Sequence, residues 1–522
     1  MKYVAIFHAN LNYAYLTPDR YEFVIRKSYE LIFDVMEKNF PQVKFVFEAS
    51  GYTLDEIASR CPDVLEKIKR ACQEGRCEFM GSPYAHPMLP NFPKEDGIWS
   101  IRFSNETYKK HLGFVPRSFW NPECGWSGYV PEQVAATGYA NMIGDFEAYS
   151  RSCGPDGKPL RPEIYEKEHT KERAFYHFGF KYDLPGTERA IHFPFNKVSG
   201  LPANKMKMFL RTDRIAQFGV RYFMGMEGYT FEKYLALIDR YSQQNPGEPE
   251  GAVIIFADDA EYVGTNGWFR LKYENKPDNT FEHTPESREK LIALVEACLK
   301  RGSFCTFDDA CKLTPNPERI FFDDDTAWHG GRASTWAMTP MAKLLRPWQE
   351  LVRTKLLKSK LTGEVEHQAW LSLTNSYNSD GQWPPTLPDA PHIIHPFNYG
   401  YCFENLLQAE LLVGGVDRSK LKSGAVATLQ GILGLQQAMI LKKAGALLKT
   451  GSAARKKKAG LAKKLIETSQ NLDSAKQSPK VLQPSEYRVR AEAMVAARRL
   501  VGGVEIEVVQ DMKSGKSKGR ST

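Results

Sequence analysis

Short apolar runs and amphipathic stretches take turns along the first 325 residues of the chain. Tyr3 to Phe7 predicts a strand, and Thr17-Pro18 then supplies an N-cap and a proline at the first helical position. Ile25, Tyr29, Ile32 and Met36 follow at the helical period and mark the buried face of that helix. Val43 to Phe47 predicts a second strand, and Thr53-Leu-Asp-Glu56 after it has the form of a capping box. Apolar runs at Cys77–Met80, Ser118–Trp120, Ala140–Ile143 and Val253–Phe256 predict further strands. Thr284-Pro285 opens another helix, with Leu291, Leu294, Val295 and Cys298 inward and Gly302 closing it; Phe304 to Phe307 predicts a last strand. Alternation of this kind predicts a parallel sheet, and its length favours a barrel over an open sheet. The segment from Pro155 to about Phe223 breaks the pattern and is expected to be an irregular insertion.

From about Thr335 the pattern becomes helical. Met341–Leu357, Phe403–Val413 and Gln430–Leu448 predict helices, with a Pro- and Asn-rich loop from Asn375 to Asn398 between the first two. Beyond Gly451 the chain is rich in Ala, Ser and Lys, with clusters at Arg455–Lys458 and Lys513–Lys518. Much of that stretch is expected to be flexible, with Arg488–Leu500 as one helical piece. The expected plan is therefore α/β: a catalytic barrel over 1–325, a helical domain packed on it over 326–450, and a basic low-complexity tail over 451–522.

Composition narrows the function classes. At 42% hydrophobic and 25% charged, the 522 residues describe an ordinary globular chain that buries a core without staples. Nine cysteines, an odd number without a CxxC pair, predict neither a disulfide framework nor a zinc site. Free thiols and a cytoplasmic location fit that usage. The apolar run before His8 is too short for a signal peptide, and no stretch approaches a membrane span, so no membrane partner is expected. The net charge of +8 would suggest nucleic acid, but it is unevenly placed. From Gly451 onward there are 16 Lys and Arg against 7 Asp and Glu, whereas the preceding 450 residues carry 54 against 55. The charge belongs to the tail, whose basic clusters lack interleaved aromatics, so no nucleic-acid partner is expected.

In a barrel the chemistry sits just after the strands. His8, Asn10 and Asn12 follow the first, Ser82, Tyr84 and His86 the third, and Glu123 the next, in SFWNPECGW. Asp258, Asp259 and Glu261 follow Val253–Phe256, and Asp324, Asp325, Trp328 and His329 stand where the barrel meets the helical part. Carboxylates among tryptophans and tyrosines suit glycoside chemistry, with one group protonating the leaving oxygen while another attacks. The same carboxylates also suit caps and ion pairs. Trp120 and Trp126 suit sugar platforms or core, and His8, His86, Trp328 and His329 suit a sugar pocket or a satisfied interior.

Five ordered segments sharpen the choice: FHANLNYA, CEFMGSPYAHPMLP, FWNPECGW, FADDAEYVG and DDDTAWHGG. Together they resemble the marker regions of glycoside hydrolase family 57, over roughly residues 1–335. The resemblance implies an incomplete (β/α)7 barrel followed by a helical bundle, and a retaining enzyme on α-1,4-glucans of α-amylase or 4-α-glucanotransferase type. By position it implies Glu123 as nucleophile and Asp259 as general acid/base, with His8, His86, Trp120, Trp126, Asp258, Glu261, Trp328 and His329 around the substrate. Asp145, Arg211 and Asp213 resemble substrate-lining segments, although loop salt bridges suit them as well. No metal and no organic cofactor is required. Val263 and His8-Ala-Asn10 depart from the family's usual wording, so specificity, hydrolysis against transfer and oligomeric state stay open. Two alternatives remain: a metal-dependent polysaccharide deacetylase or α-mannosidase-like enzyme using His8, His86 and Asp259, and a non-catalytic glycan-binding homologue.

Overall fold

The computed structural model describes residues 1–464, apart from 163–187, 268–280, 384–395, 422–444 and the single positions 14, 15, 17, 155, 330, 447, 454, 458 and 462. From Tyr3 onward every residue of β1 (Lys2–Ala9) is buried, as befits a parallel strand covered on both faces. It pairs in parallel with β2 (Phe45–Ala49), which pairs with β3 (Cys77–Met80). A second parallel sheet orders β4 (Ser118–Phe119), β5 (Asn141–Asp145) and β6 (Lys207–Arg211). The other edge of β1 takes β7 (Ala252–Asp259), and β8 (Ser303–Phe304) touches β1 only at Lys2 and Tyr3. The expected α/β class with parallel strands is what the chain adopts.

Two joins connect the sheets. Gly81, just past β3, donates its N–H to the Ser118 carbonyl (3.0 Å) and accepts from the Trp120 N–H (2.7 Å). On the far side the Arg211 side chain, at the end of β6, donates to the Ala257 carbonyl of β7 (3.0 Å). Register then does the positioning. His8 lies opposite Glu48 on one side and Asp259 on the other, and Asp145 lies opposite Arg211. Chemically equipped residues thus share the carboxyl ends of neighbouring strands.

Several expectations need correction. The segment from Pro155 to Phe223 is no mere insertion, since it carries β6 and the helix Asp213–Met224. Only three apolar residues stand between Lys207 and Arg211, and a charged strand end reads as a loop until its partners are known. The helix after β2 is capped by Ser50, whose hydroxyl accepts the Thr53 N–H (3.2 Å). Thr53 instead accepts the Leu11 N–H (3.0 Å), so the capping-box pattern was three residues late. Phe304–Phe307 is strand only at its start, because Thr306 caps the short helix Phe307–Ala310.

Other elements follow the apolar pattern. Ile25, Tyr29, Ile32 and Met36 are all buried along a helical run from Tyr21 to Asn39, which widens to a π turn at Ile25–Tyr29. Thr17, its expected cap, lies outside the described residues. Leu291, Leu294, Val295 and Cys298 are buried on the helix Ser287–Leu299. All nine cysteines are free. Among the described residues no helix is long and apolar enough to cross a membrane.

After the strands come the helices Ala333–Met338, Pro340–Lys358, Gly363–Asn375 and Pro396–Leu412. The third was not expected, because its few apolar positions give no clear period. These helices are fastened to the helix Lys94–Leu112, which lies between β3 and β4 in the chain. The Trp370 ring stacks on Trp99 at 5.5 Å, while Arg353 (2.7 Å) and the Tyr377 hydroxyl (2.8 Å) both donate to buried Asp96. Described positions between Ala453 and Lys464 are helical, so the expected tail begins with regular structure. Most of the expected helix Gln430–Leu448, and all of Arg488–Leu500, lie outside the described residues.

Gly81 exposes the join between the sheets to a direct test. A Cβ there would meet the Tyr139 hydroxyl at 2.4 Å and the Tyr108 ring at 2.9 Å, both buried. We expect Gly81→Ala to destabilise the fold by about 1–3 kcal/mol, read from urea unfolding midpoints. An unchanged midpoint would show that the join carries no strain.

Candidate active site

A narrow cleft opens over the carboxyl ends of the strands. His8, Asn10, His86, Glu123, Asp258, Asp259, Trp328 and His329 line it. So do residues the sequence did not single out: Tyr13, Gln217, Val220, Tyr262, Asp380 and Trp383. Eight sequence-derived candidates from five separate stretches of chain therefore meet at one place.

Glu123 sits in a short turn, Pro122–Cys124, directly after β4. Its backbone is left-handed (φ 55°), and so are those of Cys124 (47°), His86 (53°) and His329 (55°). Such conformations cost a non-glycine residue of order 1–3 kcal/mol and persist where surrounding contacts over-determine them. Here the Trp328 N–H donates to the Glu123 carbonyl (2.8 Å), and the Asn121 amide donates to the Gly125 carbonyl (2.6 Å). The carboxylate is buried, and its Oε1 accepts the Ser379 hydroxyl (3.0 Å). The Trp328 indole favours its charged form, yet neither that N–H nor Oε2 has a partner of good geometry, which leaves Oε2 for a ligand. Burial, then the charges of Asp380 and Asp258, hold the Glu123 pKa well above the carboxylate range.

Asp259 closes β7 and is partly exposed into the cleft. Burial of its carboxyl, followed by the nearby Asp258, Glu261, Glu123 and Asp380, holds its pKa well above the ordinary value. Asp258 turns instead toward cations and donors: the Gln217 amide (2.9 Å), Arg211 (3.5 Å) and the Asp259 N–H (2.9 Å). Two adjacent aspartates therefore differ by environment. Asp258 is paired and structural, and Asp259 is raised and open.

Behind Asp258 lies a wholly buried arginine. Arg211 meets Asp145 (2.9 Å), Asp213 (3.2 Å) and Asp258 (3.5 Å), and its guanidinium lies 5.2 Å from the Trp328 ring centre. Burial alone would raise Asp213, but His329 and Arg211 bring it down to about 2. His329 Nδ1 stands 2.6 Å from Asp213, and its ring stacks on Trp328.

His8 and His86 are neutral. Burial lowers His8 to about 3, and burial with the neighbouring His8 holds His86 well below its usual range. Glu48, held well above the carboxylate range by burial, meets His8 at Nδ1, which leaves Nε2 on the other edge of the ring. His8 stacks on Trp120 (4.5 Å, 9°), which lies beneath it and outside the cleft lining. Trp126 packs on Phe322 (4.5 Å). Of the two uses open to these tryptophans, both serve as core; the cleft aromatics are Tyr13, Tyr262, Trp328 and Trp383. Glu261 also stands outside the lining. It accepts the Asn10 N–H (2.7 Å) and the Tyr29 hydroxyl, tying the loops after β1 and β7 together, and burial pushes it up to about 8.

Asp380 and Ser379 come from the helical part and carried no sequence signal, because a Ser-Asp pair inside a polar loop is unremarkable. The Asn10 amide donates to Asp380 Oδ2 (2.9 Å). Among the described residues one group of three could hold a metal ion: His86, Glu123 and Asp380 present donor atoms within 4.8 Å of one another. His8 and Asp259 are not part of it.

Comparison with known proteins follows the same lines. The family model described as Glycosyl hydrolase family 57 matches residues 2–318. Alpha-amylase 1 of Dictyoglomus thermophilum is 26% identical over 137 residues, 26% of this chain and 20% of that one. The 4-alpha-glucanotransferase of Thermococcus kodakarensis is 26% identical over 134 residues, again 26% of this chain and 20% of that one. The match thus spans about a fifth of these relatives' length. The crystal structure of a GH57-type branching enzyme from the archaeon Pyrococcus horikoshii superposes with a TM-score of 0.53. It covers 79% of this chain and 88% of the other at 13% identity, a likeness of fold.

Two variants test the buried charges. Arg211→Met leaves three carboxylates without their cation, and we expect a loss of about 3–5 kcal/mol in chemical unfolding. Glu261 has a folded pKa near 8 against an ordinary 4.5, so the folded state binds its proton more tightly. Its effect is to reduce stability progressively as pH rises from about 4.5 to 8. Glu261→Gln should flatten the stability profile across that window relative to the parent; parallel profiles would count against the assignment.

Proposed function

The chain belongs to glycosyl hydrolase family 57, and from that premise we propose a retaining glycoside hydrolase or transglycosylase acting on α-1,4-glucans. Its scaffold is read as an incomplete (β/α)7 barrel over 1–325, with strands following one another in chain order, and a helical domain over 326–450 that supplies Ser379 and Asp380. The reading rests on one observation: Glu123, with a free Oε2, and Asp259, with a raised pKa, line the same cleft.

Two nearby buried carboxylates do not both ionise easily, and the pair holds one proton and one charge over its working range. Glu123 is the better seat for the charge, since it accepts from Ser379 and lies beside the Trp328 indole. Asp259, with three carboxylates about it, is the better seat for the proton. Glu123 Oε2 attacks the anomeric carbon as Asp259 gives its proton to the departing glycosidic oxygen, which forms a glycosyl ester on Glu123. Asp259 then takes a proton from the acceptor, whose oxygen displaces Glu123. Water as acceptor gives hydrolysis, and a sugar hydroxyl gives transfer. Neutral His8 and His86 offer hydrogen bonds to the sugar without adding charge.

The metal-dependent alternative has a specific observation behind it, the His86–Glu123–Asp380 group. A chelator separates the two readings: activity on maltooligosaccharides should survive dialysis against one, and stoichiometric zinc with loss on its removal would overturn the carboxylate mechanism.

We expect Glu123→Gln to lower kcat on maltooligosaccharides by about a thousandfold or more. The parent's kcat/KM should rise as Glu123 ionises and fall at higher pH as Asp259 loses its proton, and Asp259→Asn should abolish that alkaline limb. A parent inactive on every α-glucan, or a Glu123→Gln variant at full activity, defeats the assignment.

A further inference from the structure

A second, open groove runs between the helices Asp213–Met224 and Phe231–Tyr241. Arg214, Arg221, Lys233 and Arg240 line it together with the rings of Phe218 and Tyr229. Two of the cations are oriented by main-chain carbonyls. Arg221 Nη1 donates to the Gln217 carbonyl (3.0 Å), with its guanidinium 5.5 Å from the Tyr229 ring centre, and Lys233 Nζ donates to the Gly228 carbonyl (3.1 Å). Among the described residues neither meets a carboxylate. A carbonyl orients a cation without cancelling its charge, so most of the Arg221 fork and two of the Lys233 protons stay available. The Phe218 and Tyr229 rings, 4.9 Å apart and tilted by 60°, add an apolar wall beside those charges.

We propose that this groove binds a saccharide bearing a phosphate ester, with Arg221 and Lys233 meeting the phosphate and the sugar lying against Tyr229 and Phe218. The planar guanidinium fork suits phosphate oxygens, and a ring face suits the apolar side of a pyranose. Gln217 borders both cavities, and its amide holds Asp258, so the groove adjoins the catalytic cleft without sharing its carboxylates.

Calorimetric titration of the full chain at fixed ionic strength tests this without turnover, and so independently of the catalytic reading. The probes are glucose 6-phosphate, glucose and inorganic phosphate. Glucose 6-phosphate should bind more tightly than either of the others, and Arg221→Ala and Lys233→Ala should each weaken it by about tenfold. Tyr229→Ala should erase the preference for the sugar phosphate over inorganic phosphate. Arg221→Ala and Lys233→Ala lie outside the cleft and should keep the parent's maltooligosaccharide activity, which certifies their fold. Equal affinity for glucose 6-phosphate and inorganic phosphate, or binding unchanged in the Arg221→Ala/Lys233→Ala double variant, overturns the proposal.

Discussion

One buried cation sets the terms for the whole site. Arg211 has no access to solvent, and an uncompensated charge there would cost several kcal/mol. It is compensated by Asp145 on β5, Asp213 at the head of the next helix and Asp258 on β7, and it also donates to the Ala257 carbonyl. Those partners come from three elements, so satisfying one guanidinium fixes the spacing of β5, β6 and β7. Arg211 claims Asp258, and among the described residues its neighbour Asp259 meets no cation.

The same arithmetic runs through the carboxyls in and behind the cleft. Carboxyls without cations are driven toward the neutral form by burial: Glu48 beside His8, Glu261 behind the loop after β7, Asp259 at the mouth. His8 and His86, pushed down by burial, are uncharged too. The first 450 residues are near-neutral overall, and His8 and His86, which line the cleft, add no charge to it.

How much of this could be read from the chain depends on where the signal lies. The apolar runs at β1, β3 and β7 were legible because parallel strands buried on both faces leave continuous hydrophobic sequence. Polar residues immediately after them led to His8, His86, Glu123 and Asp259. β6 was missed because its end is a charged arginine whose partners lie 66 and 47 residues away. Ser379 and Asp380 were missed for the same reason, since contact across 256 residues leaves no local trace. Trp126 and Trp120 flank Glu123 in sequence, and only packing shows that both serve the core while Trp328 and Trp383 line the cleft.

The hydrogen bond from Ser379 to Glu123 also has a meaning in time. A chain leaving the ribosome presents Glu123 long before residue 379 has been added, and N-terminal parts settle first. During that interval the strands form with the carboxyl of Glu123 lacking its Ser379 partner, and Asn10 lacks the Asp380 carboxylate to which its side chain donates. Completion of the helical part therefore completes the polar setting of the cleft as well as the fold. A nascent or prematurely ended polypeptide would hold Glu123 and Asn10 without these two partners, and the cleft would be closed on that side only by its last-made wall.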